Sequence, residues 1–293
     1  MRFSVVTVNY RSWPYTLRCI DSLYATGYKD FEIVVVDNDQ EMLPETPHPV
    51  RLIRNPENVG FARACNQGIF VSSGEHVVFI NPDTVVKGDF FESLEKFFVE
   101  NPKAGVAGTR VMDTKGNLQL TARKELSLVS GLLGRTSLLT RLFPKNPLVR
   151  HLFPAAQKLT GPTPVDWVSG TCMTVRRQTL EEIGLMDERF FMYFEDTDLC
   201  RRAREAGWLV YYLPQIEIFH HGGASSQNRT RAIWDLHKSA FIYHRKYGPY
   251  GPLGLYSLLV LVGLAGRVLT RLATSLVKSG VRGTSYQRLS QRG

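Results

Sequence analysis

"FSVVTVNYRSWPYT", residues 3–16, decides how the first half of this chain is read. A compact β-branched run from Phe3 to Val8 gives way to Asn9 and Tyr10. Ser12 and Pro14 then carry the signature of a helix start. A strand that turns straight into a helix is the opening unit of an α/β fold. The turn is also informative for what it lacks. A dinucleotide-binding dehydrogenase needs GxGxxG here, so that backbone can approach a pyrophosphate, and "VNYRSWPYT" contains no glycine. The dehydrogenase reading is therefore poor.

The same rhythm continues downstream. "FEIVVVDN" (31–38), "VRLIRN" (50–55) and "EHVVFINPD" (75–83) are further β-branched runs. Between them the first helix stops near Gly27, and "NVGFARACNQGIFVSSG" (58–74) is a second helix closed by Gly74. "GDFFESLEKFFVENP" (88–102) is a third. Alternating strands and helices predict an α/β fold, a mostly parallel sheet flanked by helices, and ligands bind such sheets at the carboxyl ends of the strands. Thr7 with Asn9, Asp37 with Asn38, and Asn81 with Asp83 all fall at strand ends. They predict one polar cleft along one edge.

Residues 118–166 interrupt the pattern with leucines and Phe143 mixed among Arg135, Arg141, Lys145 and Arg150. Two readings stand: a helical subdomain packing its leucines on the core, or an interfacial segment lying on lipid. After it come a strand within "VDWVSGTCMTVRR" (165–177), a helix ending near Gly184, and a helix running to Gly207. Strands at 208–214 and 216–226 and a helix around 229–247 follow. "LGLYSLLVLVGLAG" (253–266) is apolar for fourteen residues, short of the roughly 20 needed to span a bilayer. It reads as a helix packed on the body or lying in the membrane interface. The expected organisation is a body over 1–250, with 118–166 as a basic, apolar insertion, and a basic amphipathic extension over 251–293.

The net charge of +9 is unevenly placed, for Asp235 is the only acid after Arg229. Such a tail suits nucleic acid, an anionic membrane surface or a phosphate-rich ligand. Nucleic acid is set aside because the chain lacks the aromatic and basic interleaving of a stacking platform. Cys19, Cys65, Cys172 and Cys200 show no CxxC and no zinc spacing. Buried free thiols in a reducing compartment are the expectation. The N-terminus reads as a strand and not a signal peptide, which predicts a cytoplasmic protein.

Several groups could carry chemistry. In "YFEDTDLCRRA" (193–203), Glu195, Asp196 and Asp198 stand within four positions, so something must offset their repulsion. In "NPD", Asp83 could hold a hard divalent cation bridging nucleotide phosphates, although Asn-Pro-Asp is equally good turn chemistry. "FHHGGASS" could supply one imidazole ligand or a structural histidine. Asp37 and Asn38 could bond a base or ribose, or cap a loop. Asn58 and Arg63 sit near the start of the second helix, whose positive end favours anions. Arg63 could reach a phosphate or form a surface ion pair.

Taken in order, "SVVTVNYRS", "IVVVDN", "NPENVGFARACNQGI", "FINPD", "WVSGTCMTVRR", "DERFFMYFEDTDLCRRAREAGW" and "FHHGGAS" resemble the family 2 inverting glycosyltransferases of GT-A fold, in particular the bacterial rhamnosyltransferases. The resemblance covers about residues 1–250. It implies that Asp37 contacts the nucleotide base and that Asp83 ends a DxD-type metal motif. It implies also that Asp196 is the catalytic base and that His220 assists the metal, Mg2+ or Mn2+. The first carboxylate of that metal motif is Asn81 here, which contributes no charge. By the same resemblance, Thr7, Asn9, Asp37, Asn38, Asn58, Arg63, Asn81 and Asp83 serve the nucleotide-sugar donor. Trp167 and Gly170 serve the acceptor, and Glu195 supports the base. The implied donor is dTDP-rhamnose, with a saccharide or polyprenyl-diphosphate-linked acceptor, acting in envelope polysaccharide synthesis as a peripheral protein on the inner membrane face. A galactofuranosyl or hexosyl transferase on the same scaffold, and a non-catalytic nucleotide-sugar-binding protein, remain open.

Overall fold

The computed structural model describes residues 1–41, 44–123, 159–222 and 229–248, together with Val262 and Gly266. Most of the insertion, from 124 to 158, and nearly all of the extension after 248 lie outside the described residues. So do the two readings of each.

The first strands are where the β-branched runs place them: β1 (Phe3–Asn9), β2 (Phe31–Asp37), β3 (Arg51–Arg54) and β4 (His76–Ile80). Helix α1 (Trp13–Tyr24) follows β1, with Pro14 in its first turn, and α2 (Phe61–Val71) follows β3. The short β5 (Thr84–Val85) leads to α3 (Phe90–Glu100), and then comes β6 (Ala104–Met112). β6 carries no clear sequence signal because "AGVAGTRVM" mixes small residues and glycines into the run. The glycines have a packing reason. A Cβ on Gly108 would lie 2.5 Å from Cβ of Val168, so only glycine lets that segment settle on the sheet.

The middle of the chain is divided into short pieces: β7 (Leu118–Gln119), β8 (Ala122–Arg123), β9 (Thr163–Val165), β10 (Trp167–Val168) and β11 (Cys172–Arg176). Helices α4 (Arg177–Ile183) and α5 (Glu195–Glu205) then lead to β12 (Leu209–His220). β12 is one strand where the sequence suggested two. Pro214 lies inside it, and the pairing with β6 shifts register between Leu213 and Glu217, as expected where a residue has no N–H to donate.

The sheet order is β3-β2-β1-β4-β11-β6-β12-β5, with β7 on β6 and β9 on β12, while β8 and β10 pair separately. β3, β2, β1 and β4 are mutually parallel, and β11 runs antiparallel to both β4 and β6. β6, β12 and the first four strands therefore share one direction, with β11 and β5 against them. One consequence governs the rest. The carboxyl ends of β1, β2, β4 and β12 open on a single edge, and β11, being reversed, begins on that edge.

Two apolar layers hold the sheet. One gathers Phe3, Ile20, Leu23, Phe90, Phe91 and Leu94 on the α1 and α3 side. The other gathers Val6, Cys65, Phe79, Met173, Leu199 and Tyr212 under α2 and α5. All four cysteines are buried and unbridged, and burial pushes every thiol up. The chain divides into two compact units, one of residues 1–188 with 195–225, the other of 189–194 with 226–293. Within the second, α6 (Arg229–Tyr247) carries the short segment: the Ser239 hydroxyl donates to the Met192 carbonyl at 2.8 Å, and the Phe194 and Tyr243 rings lie 5.4 Å apart.

Candidate active site

At the end of β1, Asn9 donates from Nδ2 to Oδ1 of Asp37 at 2.8 Å, and its own Oδ1 accepts from Thr16 at 2.8 Å and Ser12 at 3.0 Å. Asp37 is wholly buried, and its Oδ2 accepts from Nε of Arg54 at 3.3 Å. Asn38 extends the cluster, donating to Oδ1 of Asn58 at 3.2 Å and accepting from Asn55 at 2.8 Å. The Asn58 side chain also accepts the Gly60 N–H at 3.0 Å, which ties the start of α2 to the strand ends. These residues are brought together. Two others are not. Thr7 is fully buried within β1, its hydroxyl without a partner among the described residues, and Arg63 is exposed, with Nε 3.9 Å from Glu188.

The Asn-Pro-Asp segment is a turn as well as a site. The Thr84 N–H donates to the Asn81 carbonyl at 3.2 Å, closing the turn, and this aims Asp83 at the end of β12. There Oδ1 of Asp83 lies 3.1 Å from Nε2 of His220, and Oδ2 accepts the Gly222 N–H at 3.0 Å. Asn81 Nδ2 stands 3.2 Å from the same imidazole nitrogen. His221 is turned elsewhere, with its ring 3.3 Å from the Tyr15 hydroxyl. Adjacent positions on an octahedral ion with bonds of about 2.1 Å are roughly 3.0 Å apart, so the 3.1 Å between Asp83 and His220 suits two ligands of one cation. Among the described residues no three His, Cys, Asp or Glu converge for a metal. An ion here would take the rest of its shell from phosphate and water.

Across the reversed strand lies the acidic cluster. Tyr193 and Phe194 both take the left-handed region, with φ of 70° and 69°, and α5 begins at the next residue. Its first turn holds Glu195, Asp196 and Asp198, and its last holds Arg202 and Arg204, each end complementing the helix dipole. The crowding is resolved differently for each acid. Asp198, fully buried, pairs with Nε of Arg202 at 2.8 Å, while that guanidinium also donates to the carbonyls of Ile183, Gly184 and Leu185. Asp198 therefore anchors the helix.

Glu195 and Asp196 are both buried but held otherwise. Burial, and then the neighbouring Asp196, push the Glu195 carboxyl well above the usual carboxylate range, and among the described residues its Oε2 has no hydrogen-bond partner. Burial raises Asp196 too. Its Oδ2, however, accepts the Gly170 N–H at 2.9 Å, and its Oδ1 accepts the Thr197 N–H at 2.6 Å. The indole of Trp167, whose Nε1 makes no hydrogen bond of ordinary geometry, also favours the ionised form. Of this pair, Glu195 is pushed well up, while Asp196 has the N–H donors that favour its ionised form.

The start of β11 joins the two centres. Gly170 bonds Asp196, and the next residue, Thr171, accepts the Asn81 N–H at 2.9 Å. Trp167 lies in the same segment, beneath the Arg123 guanidinium at 5.0 Å from the ring centre. One contributor had no sequence signal. Gln119 touches His220 through both ends of its amide, yet it stands on a two-residue strand that only the β6–β7 pairing brings there.

A nucleotide-type sheet with an Asn-Pro-Asp turn, a strand-end histidine and a buried Glu-Asp pair on one edge defines a glycosyltransferase of GT-A type. The chain belongs to glycosyl transferase family 2, whose model matches residues 4–184. It is 31% identical over 259 residues to the N-acetylglucosaminyl-diphospho-decaprenol L-rhamnosyltransferase of Mycobacterium tuberculosis, covering 82% of each chain. The dTDP-rhamnosyl transferase RfbF of Shigella flexneri is 26% identical over 73% of this chain and 67% of its own. Among solved structures, the mannosyltransferase PcManGT of Pyrobaculum calidifontis, in complex with GDP-Man and Mn2+, superposes with a TM-score of 0.55 at 18% identity, over 94% of this chain and 79% of that one. GalNAc-T7 with UDP, GalNAc and Mn2+ gives 0.57 at 14% identity, over 85% of this chain and 49% of that one.

Proposed function

We propose that this transferase moves rhamnose from dTDP-rhamnose, with inversion, to a saccharide carried on a polyprenyl diphosphate during envelope polysaccharide synthesis. One observation carries the reading: Asp196 is buried beside the turn that holds Asp83, yet two backbone N–H groups keep its oxygens poised for charge. In the reaction, the acceptor hydroxyl oxygen forms a bond to the anomeric carbon as the bond to the nucleoside diphosphate breaks. Asp196 takes the hydroxyl proton. Glu195, already protonated, leaves the negative charge to its neighbour. Asn9, Asp37, Asn38 and Asn58 make the polar wall for the nucleoside, and Trp167 with Gly170 borders the acceptor side. Mg2+ or Mn2+, held by Asp83 and His220, would offset the charge developing on the departing diphosphate. The Mn2+ in the two neighbouring structures supports that choice.

The lipid-linked acceptor and the inner membrane face draw support from the name of the mycobacterial relative and from α6. Arg231, Trp234, Lys238 and Arg245 are exposed at helical spacing on that helix, Trp234 at 63%. A basic face with an exposed indole suits an anionic surface. Among the described residues no helix is long and apolar enough to cross a membrane.

Thermal unfolding with a panel of nucleotide sugars, with and without Mn2+, tests the donor. dTDP-rhamnose with Mn2+ should raise the melting temperature most, through mass action. Protection by a hexose or galactofuranose donor alone would replace the rhamnosyl reading. Protection by none would overturn donor binding.

A further inference from the structure

Gln119 holds His220 at two points. Its Nε2 lies 3.2 Å from the backbone oxygen of His220, and its Oε1 lies 3.0 Å from Nδ1 of the ring. The chemistry fixes which end of the amide is which. A carbonyl oxygen only accepts, so the group facing it must be the NH2, and the group facing Nδ1 must be the amide oxygen. That oxygen also only accepts. Nδ1 must therefore carry the proton.

With the proton fixed on Nδ1, Nε2 is the nitrogen left to face the site, as an N–H in the imidazolium and as a lone pair in the neutral ring. This nitrogen faces Nδ2 of Asn81 at 3.2 Å, which can donate to it, and Oδ1 of Asp83 at 3.1 Å, which cannot. At that distance a proton on Nε2 or a metal cation shared with Oδ1 can join the two groups, and only the bare nitrogen can be a metal ligand. The register that delivers Gln119 is local: β7 pairs β6 at Met112 and Val111, and β12 pairs the same two residues at Phe219 and Ile218.

We propose that Gln119 is a positioning residue, selecting the Nδ1–H tautomer of His220 so that a bare Nε2 and the Asp83 carboxylate together face a divalent cation. The cation half rests on the metal reading above; the tautomer half stands without it. Outer-shell hydrogen bonds of this kind orient the ring and strengthen its basicity, and losing one typically weakens metal binding by about 10–100-fold.

The test uses the full chain labelled with 15N-histidine. Long-range 1H–15N spectra distinguish the two tautomers and the imidazolium, and a His220→Gln sample identifies the His220 signals. Wild-type protein at neutral pH should show Nδ1–H. Gln119→Leu should lose that preference and bind Mn2+ about 10–100-fold more weakly, read by electron paramagnetic resonance in the presence of dTDP. Gln119→Glu keeps an acceptor for Nδ1 and should retain the tautomer. A bare Nδ1, as in the Nε2–H tautomer, in the wild type would overturn the proposal, as would Gln119→Leu with tautomer and Mn2+ affinity unchanged. The wild-type spectrum needs no variant, so a poorly folding Gln119→Leu does not remove the test. A wild type that holds the Nδ1–H tautomer but binds no Mn2+ would overturn the metal reading and support the tautomer assignment.

Discussion

Asp83 and Asp196 are both carboxylates by a strand end, 7% and 8% exposed, but they keep different company. Asp83 faces an imidazole and a backbone N–H, with an amide nearby. Its neighbours can tolerate or share positive charge. Asp196 lies against a second carboxyl, Glu195, and its own partners are backbone N–H groups and a hydroxyl. Equal burial thus serves opposite ends. One carboxylate is set against an imidazole nitrogen at 3.1 Å and a backbone N–H at 3.0 Å. The other is arranged so that gaining a proton costs little, since burial raises its proton affinity while the N–H groups stop it from being protonated outright.

The largest expected effect tests the proton-handling side. Asp196→Asn preserves shape and one acceptor oxygen but removes the base, so turnover should fall by roughly 10²–10⁴-fold with donor affinity retained. Turnover and donor affinity measured on the same preparation decide it. Near-normal turnover would end the claim that Asp196 is the base, and the contrast with Asp83 would reduce to packing.

The next effect tests the other side. Asp83→Ala should leave the fold intact, because the residue sits on a turn outside the apolar layers. The Mn2+-dependent part of the donor's protection should vanish. The donor's whole protection in the presence of Mn2+ would be about 2.7 kcal/mol at a donor concentration one hundred times Kd. Melting curves with donor, with and without Mn2+, report it, and protection that stays Mn2+-dependent would show that Asp83 is not a ligand.

The smallest effect sharpens the contrast within the acidic pair. Glu195 has a folded-state pKa raised above the unfolded one, so its contribution is fully present at low pH and is lost as pH rises toward the folded value. Above the unfolded pKa of about 4.3, the unfolded chain releases a proton that the folded chain keeps. Wild-type stability should therefore fall relative to Glu195→Gln by about 1.4 kcal/mol between pH 5 and pH 6. Denaturant midpoints of both proteins at those two pH values check the slope. A pH-independent difference would mean that Glu195 is ionised in the folded protein.

Much of the fold was legible because β-branched runs and helix caps act locally. β1 to β4, α1 to α3 and the helix at 229–247 fall where the pattern put them. β6 was missed because its glycines, needed for the close approach of Val168, erase the strand signal. β12 looked like two strands because Pro214 interrupts a pairing that continues beyond it. The turn after β1, where no glycine was found, is made all the same, with Arg11 in the left-handed region at a φ of 52°.

The site divides in the same way. Sequence by itself determined the kinds of group present: amides and acids at strand ends, Asp83 on a turn-forming triplet, and Glu195, Asp196 and Asp198 at a helix start. Those are local facts of residue type and spacing, and they carried the family resemblance. Only the tertiary structure decided what each group meets. It left Oε2 of Glu195 buried with no hydrogen-bond partner among the described residues, and it set Asp196 on the Gly170 N–H. It turned His220 to Asp83 and His221 to Tyr15, and it delivered Gln119 from a two-residue strand. The reason is physical. Proton affinity and tautomer depend on the groups within about 3–4 Å, and here those groups come from strands distant in sequence, set side by side by a sheet register that no local pattern encodes.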